Sequence, residues 1–542
     1  MTPAATSKIR HSMRAVRAKH LGLRTLALGV LVAIVSLLGG VASAQAAGKP
    51  ASGPSVSAAL ASLQRSGAIT PAVYQQDYSA YVAAVNSLKK LSGTRRSELG
   101  AVVANVRAIA AAGGFIPSRL PALFLTLERN RTWWTTGSLL ASRVRISFPG
   151  SKLIWEYYSG QGIEIQWLGT FGEGNGFYSG GQSNNLKQLV SELIPLATKR
   201  ADGIAWEYMF QFDGGKPPWT SGLSQGTALQ VLSRDFSRFK EPAVLTAAQE
   251  ALGIFKTAPP NGVRVASSLG AHYLEYTYAP SDRILNGEIQ ALVGLYDYTS
   301  ITKDPIGLAL FEAGDAEERV RTPLYDTGAW SMYDQYGESD LSYHELLTEF
   351  LQHLCERTRK GEPLTTAAPP APGPAPTPTP TTPTTTTPAG GTSGGTTGGT
   401  PESEPTHPGA SAARYKAQAA TSTTTSSAIA ADAIYCTTAE HFTAYEHTPP
   451  VISLITTTLP SSARAGVQLS LSKISTVHLT IRSAGKVVWS NSATVERGKP
   501  KLLWSTPAKG GAYSVTLTAA DLAGNLATAT GTITVAKGAK AR

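Results

Sequence analysis

A chain of 542 residues has room for two or three domains with ordinary cores, and its 42% apolar content fits a globular protein rather than a disordered one. The formal charge of +11 suggests nucleic acid or an acidic polymer, but six of the basic residues (Lys8, Arg10, Arg14, Arg17, Lys19 and Arg24) fall in the first 46 positions, where there is no Asp or Glu. Without them 42 basic side chains face 37 acidic ones, a net charge of +5. That is compatible with an anionic glycan and gives no ground for a nucleic-acid partner.

The basic start precedes an uncharged run from Leu26 to Val41 and then Ala42-Ser43-Ala44-Gln45-Ala46. A charged segment, an apolar segment and an A-x-A site are the parts of a secretory signal peptide, so residues 1–46 are expected to be a leader and the chain to be exported. The alternative is an uncleaved anchor, for which the run is slightly short of the roughly 20 residues a spanning helix needs. Cys355 and Cys436 are the two cysteines. An exported chain could pair them, but they flank a linker and are too few for a disulfide framework. Two isolated thiols or one incidental bridge is the expectation, and neither cysteine has ligand spacing for a structural zinc.

Helical patterning dominates next. Thr70-Pro71 suits a cap and first turn, and Tyr74, Tyr78, Tyr81, Val85 and Leu88 recur three or four apart until Gly93. A second helix is expected from Thr94 to the Gly113-Gly114 pair, completing an N-terminal helical region over 47–146. Further helices fit Asn185–Thr198, Gly222–Phe236, Thr246–Phe255, Asn286–Asp297, Leu308–Arg319 and Tyr343–His353. Between them Trp206, Tyr208, Phe210 and Phe212 alternate up to Asp213-Gly214, a tight-turn signal for a small β insert. Successive helices of this length suggest helical hairpins that could close into an (α/α) toroid or form a bundle. Gly172-Glu-Gly174-Asn-Gly176 reads as a loop, and Asn130-Arg-Thr132 is a sequon only where the host glycosylates.

Residues 361–440 are Pro-, Thr-, Gly- and Ala-rich, with Pro374-Ala-Pro-Thr-Pro-Thr-Pro at the centre, and read as a linker with disorder continuing to about Thr438. Over 441–542 the period changes to two: Val467–Leu471, Val477–Ile481, Tyr513–Leu517 and Thr532–Val535 alternate, with turns at Ser483-Ala-Gly485 and Asp521–Asn525. This predicts an antiparallel all-β sandwich with a basic tail. It resembles the Ig-like or fibronectin-like modules appended to exported bacterial enzymes, and carries no catalytic constellation.

Common catalytic motifs are absent: no P-loop, no HExxH, no G-x-S-x-G. His272 and His344 stand apart from other ligands and read as packed or surface histidines, so no metal is expected. What is unusual is four blocks dense in aromatic and polar residues. These are Phe148–Tyr158; Pro217-Pro-Trp-Thr-Ser-Gly-Leu-Ser-Gln-Gly226, running on to Arg234; Leu274-Glu-Tyr-Thr-Tyr-Ala-Pro280 with Ile284-Leu-Asn-Gly287 running to Leu295-Tyr-Asp297; and Pro323-Leu-Tyr-Asp-Thr-Gly328 with Tyr333-Asp334 and Tyr343-His344.

In that order the blocks resemble the C-terminal domain of the D-glucuronyl C5-epimerases, which act on heparosan-type chains. The resemblance spans about 147–360. It implies a mainly α, toroid-like catalytic domain, no cofactor, an acidic polysaccharide substrate, a homodimer as one option, and three functional tyrosines at Tyr276, Tyr333 and Tyr343. Trp219, Gln225, Glu275, Asn286 and His344 are the residues expected to bind substrate; Asn286 could instead cap its helix, and Asp326 could shape a turn. Gln335-Tyr336 stand where animal members carry an arginine.

The chemistry suits such residues. The C5 hydrogen of a uronic acid lies α to a carboxylate, so its removal adds charge to a group already anionic and needs hydrogen-bond donors around it. A base on one face and an acid on the other invert the centre. Ionising a tyrosine of pKa near 10 costs roughly 4 kcal/mol at pH 7. Most tyrosines simply pack with the hydroxyl at a wet edge. A uronan lyase, a glycan hydrolase on a similar helical scaffold, or a non-catalytic glycan-binding surface protein are the competing readings, the last with the β module as a cell-wall or surface-glycan contact.

Overall fold

The computed structural model describes residues 53–359 and 433–536. The expected leader, most of the expected linker and the basic tail lie outside the described residues. No helix among the described residues is long and apolar enough to cross a membrane.

Four helices open the fold: α1 (Val56–Arg65), α2 (Pro71–Leu88), α3 (Gly93–Ala111) and α4 (Leu120–Thr136). Thr70 caps α2 as its sequence suggests, its hydroxyl accepting the Val73 N–H at 3.2 Å with Pro71 in the first turn. Arg119, at the head of α4, is buried against Glu207 in a two-pronged pair at 2.6 and 2.9 Å. Next comes a three-stranded antiparallel sheet, β1 (Arg145–Ser147), β2 (Ile154–Tyr158) and β3 (Gly162–Ile165). Asn130 of α4 holds this sheet: its amide donates to the Ile163 carbonyl and accepts the Ile163 N–H. Asn130 is fully buried, so the possible sequon is not open to modification in the folded chain.

The central layer is α5 (Trp167–Ser179), α6 (Ser183–Leu193), the short hairpin β4 (Thr198–Arg200) and β5 (Gly203–Ala205), then α7 (Gly222–Phe239), α8 (Pro242–Ala251) and α9 (Gly253–Lys256). A second hairpin, β6 (Arg264–Ala266) and β7 (Ala271–Tyr273), leads to α10 (Leu285–Thr302), α11 (Pro305–Arg321) and α12 (Leu341–Thr358). The expected β insert is present: Tyr208 bridges Trp219, and Phe212 and Gly215 exchange both hydrogen bonds around Asp213-Gly214. Both turn residues have positive φ, which is why Asp-Gly sits there.

The reading of Gly172–Gly176 as a loop is overturned: these glycines belong to α5. A side chain at Gly174 would come within 2.9 Å of Val231 and 3.0 Å of Leu189, so the residue permits close helix packing rather than a turn. The same logic sets the core pair. A Cβ on Gly294 of α10 would meet the Gly226 carbonyl oxygen of α7 at 2.1 Å. The glycines of the Q-G and L-x-G-L-Y-D blocks are therefore where two helix backbones touch.

A second correction concerns the linker. Residues 434–440, placed in it by composition, form the first part of α13 (Ile434–Tyr445). This helix buries Phe442 against His344 of α12 and Tyr435 against Asp315 and Arg319 of α11, and Cys436 is disulfide-bonded to Cys355. The cysteines are one bridge, and it pins α13 to α12.

The C-terminal module comprises β8 (Ile452–Leu454), β9 (Thr458–Leu459), β10 (Arg464–Leu471), β11 (Ser475–Ser483), β12 (Lys486–Val495), β13 (Lys501–Ser505), β14 (Gly511–Asp521) and β15 (Leu526–Val535). One sheet runs β13-β10-β8 and the other β12-β11-β14-β15-β9, with a shared core that includes Val477, Leu479, Ile481, Trp504 and Leu517. Strands β8, β9, β12 and β13 are not among the four expected; β12 is mostly exposed, β8 and β9 are only three and two residues long, and β13 alternates Leu502 and Trp504 into the core. The module docks on α13 and the segment before α12. Lys473 donates to the Tyr445 carbonyl at 2.8 Å and pairs with the buried Asp521 at 2.7 Å, and Arg497 pairs with Glu338 at 2.8 Å.

Candidate active site

An open cleft of about 870 Å³ lies among α5, α7, α10 and α12. The glycine-rich α5 contributes Gly169 and Gly172 to its wall, and a side chain at Gly172 would meet nothing within 4 Å beyond its own stretch of helix. Helices α7, α10 and α12 supply most of the polar wall through residues one turn apart, such as Gln230 and Arg234, or Asn286 and Gln290.

These polar groups form one network. Gln290 donates to Gln230 at 2.8 Å, and Gln230 donates to Asp297 at 2.8 Å. Asp297 also receives Arg357 at 2.6 and 2.8 Å and Arg234 at 3.1 Å, while Arg234 reaches Asn175 at 2.7 Å. Burial alone would raise the Asp297 carboxyl, but the Arg357 hydrogen bonds and the two guanidinium charges hold it below its usual range. The aspartate that ends the L-Y-D block thus aligns two cleft arginines. Arg145 is a third, held by Glu156 at 3.3 Å.

Of the sequence-derived candidates, Tyr343 and Asn286 line this cleft. Tyr343 sits in the first turn of α12, whose N-cap Asp340 accepts its N–H at 2.9 Å. Tyr333 packs edge-to-face on Tyr343 at 4.8 Å, and its carbonyl accepts the Leu285 N–H, which places it beside Asn286. Asn286 does not cap α10, since the N-cap is Ile284; its Oδ1 is buried without a hydrogen-bond partner.

Tyr276 stands in an adjoining aromatic box. Its ring is stacked on Tyr278 at 5.3 Å and is edge-on to Trp219 at 5.7 Å. Tyr276 and Trp219 line a second, much smaller cavity, and Leu168 and Leu223 belong to the walls of both spaces. Glu275 is buried over the first turn of α10, where a Gly287 side chain would strike it. A carboxylate there faces the positive end of the helix dipole.

Gln225 and His344 lie elsewhere. Gln225 is buried and donates to the Ile204 and Ala251 carbonyls at 2.9 and 3.2 Å, tying α7 to β5 and α8. His344 is fully buried, stacked on Trp330 at 3.7 Å, with Nδ1 at 2.8 Å from Ser331 and Nε2 at 2.9 Å from the Phe442 carbonyl. Burial pushes its pKa down to about 4, against the opposing pull of the Phe442 carbonyl. Neither residue lines the cleft: the Gln225 amide nitrogen and both His344 ring nitrogens are taken by main-chain or helix-joining bonds, and the Gln225 Oε1 is buried without a partner. Asp326 is a turn-former, accepting the Gly328 N–H at 2.8 Å, and it also receives Tyr445 and His441 of α13. Tyr325 donates to the Arg283 carbonyl at 2.9 Å.

The sequence reading missed Arg145, Gln230, Gln290 and Arg357. Gln230 and Arg234 lie four apart within the second quoted block, a spacing that puts both on one helix face and was a usable signal. Nothing in the sequence marks Arg145 or Arg357, which reach the site from a strand and from the far end of α12.

Comparison with known proteins bears on the same region. A family model described as the D-glucuronyl C5-epimerase C-terminus matches residues 200–367. The D-glucuronyl C5-epimerase of Caenorhabditis elegans is 33% identical over 131 residues, which is 22% of this chain and 21% of that protein. An uncharacterized protein of Methanocaldococcus jannaschii is 25% identical over 169 residues, 30% of this chain and 55% of its own length. The chain therefore spans about a fifth and about half of these two curated relatives. The C5-epimerase resemblance, read from the sequence over about 147–360, is matched over residues 200–367, and the first of its four blocks, Phe148–Tyr158, lies outside that span. The α5 wall and Arg145 lie outside the matched span.

Proposed function

We propose that this chain is an exported uronyl C5-epimerase that converts D-glucuronate-type to L-iduronate-type residues within an acidic polysaccharide. The observation that carries the reading is the meeting of Tyr343, backed by Tyr333, with Asn286 and three arginines in one open cleft. A linear polymer needs such an open trough, and its carboxylates need cations. Arg145, Arg234 and Arg357 would hold them, the last two pre-aligned by Asp297 so that little ordering remains to be done on binding. Asn286 offers an unmatched buried acceptor for a sugar hydroxyl.

In this reading Tyr343 and Tyr333 lie on one face of the uronate and exchange the C5 proton, with Tyr276 serving the opposite face from the adjoining box. The carboxylate that gains charge as C5 is deprotonated is stabilised by the cleft guanidinium groups and phenol donors. That field also offsets part of the roughly 4 kcal/mol needed to ionise a phenol at pH 7. The scheme asks for no cofactor. The Cys355–Cys436 bridge supports export, since disulfides persist in oxidising compartments.

Incubation of the full chain with heparosan in deuterated water tests the proposal. Solvent deuterium should enter C5 without shortening the chain or producing ultraviolet-absorbing unsaturated ends. Tyr343→Phe should lower turnover at least about 100-fold, the usual weight of a general acid or base, with unchanged circular dichroism. Unsaturated ends would make the protein a lyase. No labelling of heparosan or other uronans would make the cleft a binding groove.

A further inference from the structure

Between β7, α10 and α11 is a fully buried cluster that the proposed chemistry does not use. His272 of β7, Glu288 in the first turn of α10 and Glu318 near the end of α11 bring one ligand atom each to within 4.8 Å of one another. His272, read from the sequence as standing apart, in fact has Nδ1 at 2.9 Å from Glu288 Oε2, at an angle that makes no hydrogen bond. Glu288 Oε2 accepts the Tyr273 N–H, and Glu318 Oε1 accepts the Thr322 hydroxyl at 2.8 Å. The remaining atoms have no hydrogen-bond partner: both ring nitrogens of His272, Oε1 of Glu288 and Oε2 of Glu318.

Three buried side chains that each bring one ligand atom to a common point, and that leave polar atoms without hydrogen-bond partners, call for an occupant. Two buried carboxylates repel each other, and burial pushes both well above the usual carboxylate range. Arg321 does not neutralise them by contact, since its guanidinium is taken by Glu317. A divalent cation would cancel both charges, and one imidazole nitrogen with two carboxylate oxygens is a donor set for a first-row metal.

We propose that His272, Glu288 and Glu318 bind one divalent transition-metal ion of the Zn²⁺ or Mn²⁺ class as a structural site. The site is closed to the cleft, so the ion is acquired during folding and has no role in proton transfer. It joins β7, α10 and α11. Through β7 it steadies the strand that continues into Glu275 and Tyr276, and through α10 it holds the turn that carries Asn286. The inference is independent of the epimerase reading, because its readout is metal content and melting temperature rather than turnover.

The full chain, expressed in medium supplemented with Zn²⁺ and Mn²⁺ and then dialysed, should retain about one equivalent of metal by mass spectrometry, as a closed site does. Glu318→Gln and His272→Phe should each retain less than about a tenth of that, and Glu318→Gln should lower the melting temperature. Glutamine mimics a protonated acid, so it separates the two possible occupants. A wild-type chain that is folded, metal-free and indifferent to Zn²⁺ or Mn²⁺, with Glu318→Gln equally or more stable, would show that the carboxylates share a proton and would overturn the proposal.

Discussion

The helical part and the C-terminal β module solve the problem of burying a core in opposite ways. In the module the core is almost wholly apolar, built by alternation along β10, β11 and β14, with Lys473–Asp521 as a buried ion pair where the module meets α13. In the helical part the central pair α7 and α10 is buried nearly all round, yet carries Gln225, Thr227, Gln230, Asn286, Glu288 and Gln290 at buried positions. Buried polar groups are expensive unless matched, and here Gln230, Asn286 and Gln290 line the cleft while Gln225 ties α7 to its neighbours.

The contrast can be broken most severely at the α7–α10 contact. Gly294→Leu should abolish folding of the helical part, because the new side chain would overlap the Gly226 backbone, which cannot move aside. Loss of native near-ultraviolet circular dichroism with the β module still folded would be the expected outcome; a stable, active variant would refute the close contact. Next in size is the Cys355–Cys436 bridge, which spans 81 positions. Replacing both cysteines by serine should cost about 4 kcal/mol in the chain-entropy account, measured by denaturant unfolding, and should loosen α13 first.

Acid should act on the junction between the two regions. His344 is buried with its pKa at about 4 against an ordinary 6.5, lowered by burial and by Lys473, with the Phe442 carbonyl and Asp326 opposing. Glu446 lies 3.9 Å from Nε2. Between those two values the unfolded chain binds a proton that the folded chain does not, so this residue's contribution makes stability fall as pH drops from 6.5 towards 4. His344→Gln should flatten that part of the melting-temperature profile; an unchanged slope would remove His344 as the cause. The smallest effect is expected on the module's outer face. Val488→Thr on β12, at a half-exposed position, should shift stability by less than about 0.5 kcal/mol, whereas the core change Leu479→Ala should cost about 2–5 kcal/mol.

Local chemistry explains what could be read directly. The Thr70-Pro71 start, the Asp213-Gly214 turn and the alternating strands each depend on a few neighbouring residues, so their signals survive in one dimension. Gly172–Gly176 misled because glycine chosen for close packing against Val231 and Leu189 looks the same as glycine chosen for a turn. Residues 434–440 misled because they adjoin low-complexity sequence, whereas their helix is held by a disulfide and by the burial of Tyr435 on α11 and Phe442 on α12. Gln225 and His344 have the side chains of ligand-binding residues, but burial turned them inward to main-chain and helix-joining bonds.

Residue order alone thus supplied the helical and β regions, a family resemblance read over about 147–360 and matched over 200–367, and three tyrosines, at 276, 333 and 343, as candidates for one site. Tertiary structure alone decided that Tyr333 and Tyr343 meet while Tyr276 stands in an adjoining box, that Asp297 gathers arginines from α7 and α12, and that His272, Glu288 and Glu318 converge. Those contacts join residues from 10 to 63 positions apart, and charge, burial and hydrogen-bond supply at such a meeting depend on packing that no local pattern records.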